Sequence, residues 1–178
     1  MSPRSSRKHT PRAKRSAAPS PGGLSHIDAR GRACMVDVGD KPVTQREAVA
    51  RAVVKMAPST LRLIQRGGIA KGEVLAVARV AGIMAAKRTA EIIPMCHPLP
   101  IQVAGVDFKK LAAGRLQIEA RVKVSGQTGV EMEALMAVSA AALTVYDMCK
   151  AVDRAMVIES VRLVEKRGGR SGVFRRAE

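Results

Sequence analysis

Aromatic side chains are almost absent from this sequence, which has two phenylalanines, one tyrosine and no tryptophan among its 178 residues. A chain of this length forms one domain with a substantial core, and that core must therefore consist of Ala, Val, Leu, Ile and Met. Nucleic-acid modules usually stack bases on exposed aromatic rings. The shortage of rings therefore argues against a module of that kind.

Acidic side chains are also scarce: 15 Asp and Glu stand against 31 Lys and Arg, which gives a net charge of +16. Residues 1–23 are rich in Ser, Pro, Lys and Arg and contain no acidic residue, which predicts a disordered basic tail. A strong positive charge attracts polyanions, which include nucleic acids, anionic membranes and triphosphates. The charge alone does not choose among these partners.

Cysteine is limited to Cys34, Cys96 and Cys149, and no two of them form a CxxC pair. This pattern argues against a disulfide framework and against a zinc site, so we expect reduced thiols, a cytoplasmic location and no bound metal. The N-terminus has no continuous apolar stretch of the kind found in signal peptides. The longest apolar run, 134–145, is shorter than the roughly 20 residues of a membrane span, so we expect no membrane contact.

The spacing of apolar residues predicts the element order β, β, α, α, β, β, α, β. The predicted strands are 33–38, 43–56, 101–108 with a bulge at 104–105, 116–124 and 156–164, and the predicted helices are 59–66, 73–93 and 130–152. Residues 43–56 are ambiguous between strand and helix, and the even spacing of their apolar residues favours the strand. Without the first strand and the short helix, this is the ferredoxin-like βαββαβ order. We therefore expect an α+β domain over 24–174, with two helices on one face of an antiparallel sheet and a short tail over 175–178. The other sheet face would be free for a partner subunit.

Asp147 and Lys150 lie three residues apart on the predicted helix 130–152, so their side chains share one helix face. They form either a surface ion pair or a proton-transfer pair in which each group sets the pKa of the other. Glu133 lies on nearly the same stripe but fourteen residues earlier, which is about 21 Å along a helix axis. One chain therefore cannot place Glu133 and Asp147 in one compact pocket, and a large ligand or a second subunit would be needed.

Two further segments contain reactive groups, and each also has an ordinary structural explanation. Met95, Cys96 and His97 follow a helix that a proline stops, in a loop that is either a plain polar connection or a stiff wall for a ligand. Lys71 precedes the N-terminus of the first long helix. It is either a solvated turn residue or a group placed to bind phosphate and transfer protons.

The segment 166–172 combines three basic side chains with three glycines. Backbone N–H groups of such a loop can wrap a phosphate, although the GxxxxGK[ST] spacing of a P-loop is absent. A flexible basic tail explains the segment equally well. Glu131 follows Thr128 at the spacing of a helix capping box, which gives this carboxylate a structural explanation.

Several longer motifs occur together along residues 24–174. They are LSHID at 24–28, MVDV at 35–38, KGE at 71–73, IPMCHPL at 93–99, TGVEMEAL at 128–135, YDMCKAV at 146–152 and GGRSG at 168–172. In order and in spacing these motifs resemble the cyclic pyranopterin monophosphate synthase family, also called molybdenum cofactor biosynthesis protein C.

The resemblance implies a lyase that converts (8S)-3′,8-cyclo-7,8-dihydroguanosine 5′-triphosphate to cyclic pyranopterin monophosphate and releases pyrophosphate, without a cofactor. It implies Asp147 as the catalytic acid–base group, with Lys71 and Lys150 as its partners in proton transfer. The family's substrate-binding segments correspond to Met95, Cys96, His97, Met132 and Glu133. The resemblance also implies a homohexamer, a trimer of dimers with its active sites at the dimer interfaces.

The match to the family has modest departures. Arg167 and Arg170 stand where the family usually has a small residue and a lysine, and Met136 replaces a usual threonine. Arg170 keeps the charge but changes the geometry, which leaves its part in phosphate binding open. Two other functions remain: a ferredoxin-like nucleic-acid module, favoured by the charge, and a structural subunit without activity. The retained Asp147 and Lys71 argue against an inactive subunit, and we expect no nucleic-acid partner.

Overall fold

A computed structural model of the chain describes residues 31–177. Its elements are β1 (Thr44–Lys55), α1 (Pro58–Gln65), α2 (Val74–Lys87), α3 (Thr89–Ile92), β2 (Val103–Lys110), β3 (Arg115–Gly126), α4 (Glu131–Cys149), β4 (Val157–Arg167) and β5 (Phe174–Arg175). The strands form an antiparallel sheet in the order β2-β3-β1-β4-β5. The α+β, ferredoxin-like prediction is confirmed, with β5 as an added short edge strand.

By their contacts the described residues divide after Val36, and every element named above belongs to the unit that begins at Asp37. The predicted basic tail, 1–23, and the motif at 24–28 lie outside the described residues. The boundary at residue 24 therefore stays a prediction.

Small side chains bring the helices close to the sheet. β1 alternates fully buried alanines, including Ala48 and Ala52, with residues on the opposite face, and α4 packs on β1 and β3. α2 packs against α4, and there Gly82 lies so close that an added Cβ would be 2.8 Å from the Ala137 carbonyl oxygen. An aromatic-poor core is therefore dense because its backbones approach closely, not because large rings fill it.

The opposite face of the sheet carries cross-strand ion pairs. Nε of Arg51 in β1 donates to Oε2 of Glu119 in β3 at 2.7 Å, and Glu47 pairs with Arg121 and Lys123. Exposed pairs of this kind contribute at most about 1 kcal/mol each. The stability of the sheet therefore comes mainly from its helix-covered face.

Two of the predicted elements differ from the structure. The strand at 33–38 does not form: Ala33 makes an isolated bridge and the following residues have no regular structure. Helix 73–93 was wrong as one element, because α2 ends at Lys87 and α3 begins at Thr89. The Thr89 hydroxyl donates to the Ala85 and Ala86 carbonyls at 3.2 and 3.1 Å, a local bond that competes with the regular helix pattern.

The predicted bulge at 104–105 was also wrong. β2 pairs with β3 in continuous register from Val103 to Lys110. The irregular pairing lies instead between β1 and β4, where the register shifts after Val49 and after Val53. A glycine in a strand is thus not enough to place a bulge, since pairing with both neighbouring strands decides where an extra residue is accommodated.

Both helix caps read from the sequence were wrong. α4 begins with Val130 at the N-cap and without a side-chain cap, so Thr128 and Glu131 form no capping box. α1 has Ala57 at its N-cap rather than Ser59. Its cap comes from elsewhere in the chain: Oδ2 of Asp153 accepts the Ala57 N–H at 2.8 Å.

α4 is long and apolar enough to cross a membrane by length and composition alone, but half of it is buried inside the domain. Its buried residues, among them Ala134, Val138 and Val145, pack in the main hydrophobic core. α4 is therefore a core helix.

Candidate active site

Asp147 lies near the end of α4 between two lysine side chains. Nζ of Lys71 is 2.9 Å from Oδ2 of Asp147 and 3.0 Å from its main-chain oxygen, and Nζ of Lys150 is 2.7 Å from Oδ1. Both carboxylate oxygens are therefore paired with a cation. Between 47% and 57% of each of the three side chains is exposed, so a ligand can reach all of them. We call these three residues the Asp147 centre.

Local backbone structure places the two lysines. Lys150 follows the last residue of α4, and its N–H still donates to the Tyr146 carbonyl at 2.9 Å, which continues the helix turn. Lys71 lies in a turn closed by a bond from the Gly72 N–H to the Ile69 carbonyl at 2.9 Å. Gly72 has a φ of +96°, a conformation that favours glycine, and Ile69 is buried and anchors the turn.

The lysines hold Asp147 in its ionised form. The hydrogen bond from Lys150, followed by the one from Lys71, lowers the pKa of Asp147 to about 2. The same bond with Asp147 raises the pKa of Lys150. At neutral pH the Asp147 centre thus contains a carboxylate beside a firmly protonated lysine, a pair suited to moving a proton once a substrate displaces one contact.

A second cluster lies at the other end of α4. Glu133, in the first turn, is only 4% exposed, and burial, with a smaller contribution from the charge of Glu131, raises its pKa to about 6. Burial also raises the pKa of the Cys96 thiol, and the charge of Glu133 adds to this effect. Cys96 therefore lies near enough to Glu133, at the start of α4, to be affected by its charge. We use the name Glu133 cluster for Cys96 and Glu133 together with Met95, His97 and Met132, which are their neighbours in the sequence and were predicted to bind substrate with them.

The two groups of residues are separated along one continuous helix. α4 runs without interruption from Glu131 to Cys149, so Glu133 and Asp147 remain about 21 Å apart along its axis. The structure therefore brings Lys71, Asp147 and Lys150 together, and separately brings Cys96 to Glu133. It does not combine all the predicted site residues within one chain.

A cavity of about 500 Å³ lies where β1 begins and β4 ends. Its lining includes five basic side chains: Lys41, Arg46, Lys166, Arg167 and Arg170. The carboxylates of Glu47 and Glu131 also line it, so positive charge predominates. We call this cavity the basic pocket, and its size and charge suit a polyphosphate.

Glycines in the 168–172 loop let it lie directly against Arg46. Gly168 and Gly169 have φ values of +92° and +74°. An added Cβ would overlap the Gln45 carbonyl oxygen at Gly168 and the Arg46 guanidinium at Gly169. Arg46 is held from its other side, because its Nε and Nη2 donate to the carbonyls of Gly126 and Gln127, both at 3.3 Å.

Sequence reasoning noticed the glycine-rich loop but missed Arg46 and Lys41. Single basic residues carry no signal in a chain with 31 of them. The strand register supplies the missing information: Glu47 in β1 faces Arg167 in β4, so the residues at the start of β1 and those after β4 meet at one sheet end.

The described residues 31–177 contain no group of three or more His, Cys, Asp and Glu side chains arranged to hold a metal ion. The only cysteine in the Glu133 cluster, Cys96, is half-buried and not disulfide-bonded.

The chain is similar in sequence to known proteins over most of its length. The model of the MoaC family matches residues 35–169. The cyclic pyranopterin monophosphate synthase of Chloroflexus aggregans is 66% identical over 156 residues, which cover 87% of this chain and 94% of that protein. The synthases of Pelotomaculum thermopropionicum and Thermomicrobium roseum are 63% and 61% identical over 155 and 156 residues, covering 86% and 87% of this chain and 91% and 94% of those proteins. Similarity of this extent shows that the chain belongs to the MoaC family.

Proposed function

We propose that the chain is a lyase of molybdenum cofactor biosynthesis that converts (8S)-3′,8-cyclo-7,8-dihydroguanosine 5′-triphosphate to cyclic pyranopterin monophosphate and releases pyrophosphate. The observation that carries this proposal is the pairing of both Asp147 carboxylate oxygens with Lys71 and Lys150. The relatives described above, which are named for this synthase activity, support it.

The Asp147 centre moves the protons of the reaction. Opening the purine-derived ring and closing a pterin require repeated proton transfers, which positioned side chains accelerate. Lys150 is the proton donor: its contact with Asp147 raises its pKa and keeps it charged, and its proton becomes easier to transfer when a substrate displaces that contact. Asp147 orients the lysines and accepts a proton when one of them turns to the substrate. Lys71 is fixed by two bonds to Asp147; it takes part in the proton transfers and also stabilises negative charge that develops next to it.

The basic pocket binds the triphosphate and, after ring closure of the phosphate, the departing pyrophosphate. Fixed cations are effective here, since the leaving group carries several negative charges. Lys166 is oriented by a bond from its Nζ to the Ser171 hydroxyl. Arg167 adds a charge beyond the ordinary family pattern, and Arg170 keeps the charge of the usual lysine while its guanidinium can bind phosphate in a two-pronged geometry that lysine lacks.

The Glu133 cluster binds the ring portion of the substrate. Met95 and Met132 provide adaptable apolar surface. Cys96 and His97 follow Met95 in the same loop. Glu133, with a pKa raised to about 6, is near the point where it exchanges between carboxylate and carboxylic acid under physiological conditions. As a carboxylate it can accept a hydrogen bond from an amino group, and as a carboxylic acid it can donate one to a ring nitrogen.

A homohexamer, built as a trimer of dimers, places these groups in one site across each dimer interface. Because one chain keeps the Asp147 centre and the Glu133 cluster at opposite ends of α4, the partner chain supplies the missing half. The outer surfaces of α2 and α4 support assembly: Val77, Val80 and Met84 on α2 and Leu143 on α4 are exposed, and a subunit contact would bury them. The assembly is cytoplasmic, where its free thiols stay reduced.

The direct test supplies the cyclised triphosphate to the purified full-length chain and follows pyrophosphate release, with the pterin product identified by mass. Uncyclised GTP serves as the control substrate and should yield no pyrophosphate. We expect release that depends on Asp147. A folded wild-type chain that releases no pyrophosphate from the cyclised substrate would overturn the proposal.

A further inference from the structure

Gln127, in the loop between β3 and α4, joins two separate parts of the basic pocket. Its Nε2 donates to the carbonyl of Gly39 and to the carbonyl of Lys41, each at 2.9 Å. The amide group has two N–H donors, and both are used on one short turn. An amide oxygen in that position would face two carbonyl oxygens and be repelled, so the chemistry of the partners fixes the orientation of the amide.

The turn at 37–41 has its own internal bonds, which set its shape but not its place in the domain. Oδ1 of Asp37 accepts the Gly39 N–H at 2.9 Å, and the Lys41 N–H donates to the Val38 carbonyl at 3.0 Å. The bonds from Gln127 cross 86 residues to Lys41 and attach the turn to the β3–α4 loop. Lys41 is thereby held at the wall of the basic pocket.

The loop that holds the turn is itself held by a pocket cation. Nη2 of Arg46 donates to the main-chain carbonyl of Gln127 at 3.3 Å. Gln127 therefore contacts Arg46 through its backbone and the Lys41 turn through its side chain. Gln127 thus links the Lys41 turn to Arg46 by hydrogen bonds, in addition to the four residues of chain that join them.

We propose that Gln127 is a positioning residue for substrate binding: its side-chain amide sets Lys41 beside Arg46, so that both ammonium and guanidinium groups face the same polyphosphate. Gln127 acts through Lys41 and contacts no reacting atom. The assignment of the basic pocket to the triphosphate rests on the proposed function.

Inorganic pyrophosphate, the product of the proposed reaction, provides a binding test that does not depend on turnover. Its affinity is measured by calorimetry for the wild type, Gln127→Ala, Lys41→Ala and the double variant, with exposed Gln102→Ala as a matched control. Each single variant is expected to weaken binding about fivefold, the loss typical of one hydrogen-bonded or ionic contact. The double variant should bind no more weakly than Lys41→Ala, because Gln127 acts through Lys41.

Steady-state kinetics with the cyclised triphosphate give a second readout. In Gln127→Ala the KM should rise about fivefold while kcat changes less than twofold, since binding alone is affected. A general folding defect would instead lower kcat, and melting temperatures identify such a defect directly. Gln102→Ala should match the wild type in both constants.

Several results would overturn the inference. Gln127→Ala could bind pyrophosphate as tightly as the wild type does. The losses of affinity in the two single variants could multiply in the double variant, or the wild-type chain could fail to bind pyrophosphate at all. Failure of the proposed function gives a different result: a chain that binds pyrophosphate in a Gln127-dependent manner but releases none from the cyclised substrate.

Discussion

Nζ of Lys71 lies 2.9 Å from Oδ2 of Asp147 although the two residues are 76 positions apart in the sequence. The contact exists because α2 packs against α4 and the turn before α2 therefore meets the last turns of α4. Asp147 would reach Lys150 on an isolated helix, but only the folded domain adds the second lysine. This second lysine forms an ion pair with the remaining carboxylate oxygen and lowers the pKa of Asp147 further.

Replacing Asp147 by asparagine should abolish most activity while preserving the fold. The amide keeps the shape of the side chain but cannot accept a proton or hold two ammonium groups. Acid–base groups typically contribute 10²–10⁴-fold, so kcat for pyrophosphate release should fall about 1,000-fold. Asp107→Asn, at a side chain that is 89% exposed, is the matched control and should keep wild-type activity. A loss of less than about tenfold in Asp147→Asn would contradict the assigned role.

Lys71→Arg distinguishes proton transfer from charge alone. Arginine keeps the positive charge, but its guanidinium does not deprotonate in proteins and its planar shape does not fit the same two bonds to Asp147. We expect kcat to fall at least about 100-fold, while Lys87→Arg, on the exposed side of α2, has no effect. If Lys71→Arg retained activity within about threefold, Lys71 would act only as a fixed charge.

The part of the site that could be predicted from the sequence is the part that depends on local spacing. Asp147 and Lys150 share a helix turn, and the predicted separation of Glu133 from Asp147 follows from the rise per residue of one helix. Lys71 could be assigned to the same site only by resemblance to a family, because its contact with Asp147 depends on how α2 packs against α4. Arg46 could not be found either, since its place in the basic pocket depends on the register of β1 against β4.

The two wrong helix-cap predictions show how little a local pattern fixes the start of a helix. Thr128 and Glu131 have the spacing of a capping box, yet α4 begins without a side-chain cap. α1 begins where Asp153, 96 positions away, accepts the Ala57 N–H. At α1 a tertiary partner thus replaced the local one, and a sequence pattern contains no information about a partner that distant.

Glu133 should make the stability of the fold depend on pH. Its pKa of about 6 in the folded state lies above the ordinary value of 4.5, so the folded state binds more protons between these values. Its contribution is therefore most favourable below about pH 4.5 and is lost as the pH rises through 6, by about 2 kcal/mol. Glu133→Gln removes this ionisation. As the pH is raised from 4.5 to 8, the free energy of unfolding of the variant should therefore rise by about that much relative to the wild type.

Urea unfolding at matched protein concentration measures the Glu133 effect at the two pH values. Glu91→Gln, at an exposed position in α3, controls for the loss of one carboxylate. A constant difference between Glu133→Gln and the wild type across this range would show that Glu133 is not held in an environment that disfavours its charge.

Gly168→Ala should damage the basic pocket more than Gly172→Ala. Both glycines have positive φ, +92° and +60°, so alanine costs about 1–2 kcal/mol of backbone energy at either position. Only at Gly168 would the new Cβ overlap the Gln45 carbonyl oxygen, whereas at Gly172 it meets no atom within 4 Å. We expect Gly168→Ala to lose a further 1–3 kcal/mol of unfolding free energy, roughly the cost of overpacking, together with pyrophosphate affinity. Equal effects at the two positions would show that the close approach of the loop to β1 is not required.

Mixed oligomers test whether the Asp147 centre of one chain works with the Glu133 cluster of another. Asp147→Asn and His97→Ala should each be inactive alone, because every site then lacks one required group.

In a co-expressed mixture, a site that takes Asp147 from the His97→Ala chain and His97 from the Asp147→Asn chain is complete. Random pairing makes about a quarter of the sites complete, so the doubly tagged, co-purified oligomer should regain about a quarter of wild-type pyrophosphate release. If each site were contained within one chain, the mixture would regain no activity, since every chain carries one of the two substitutions. Separately purified variants, mixed without subunit exchange, give the baseline for that outcome.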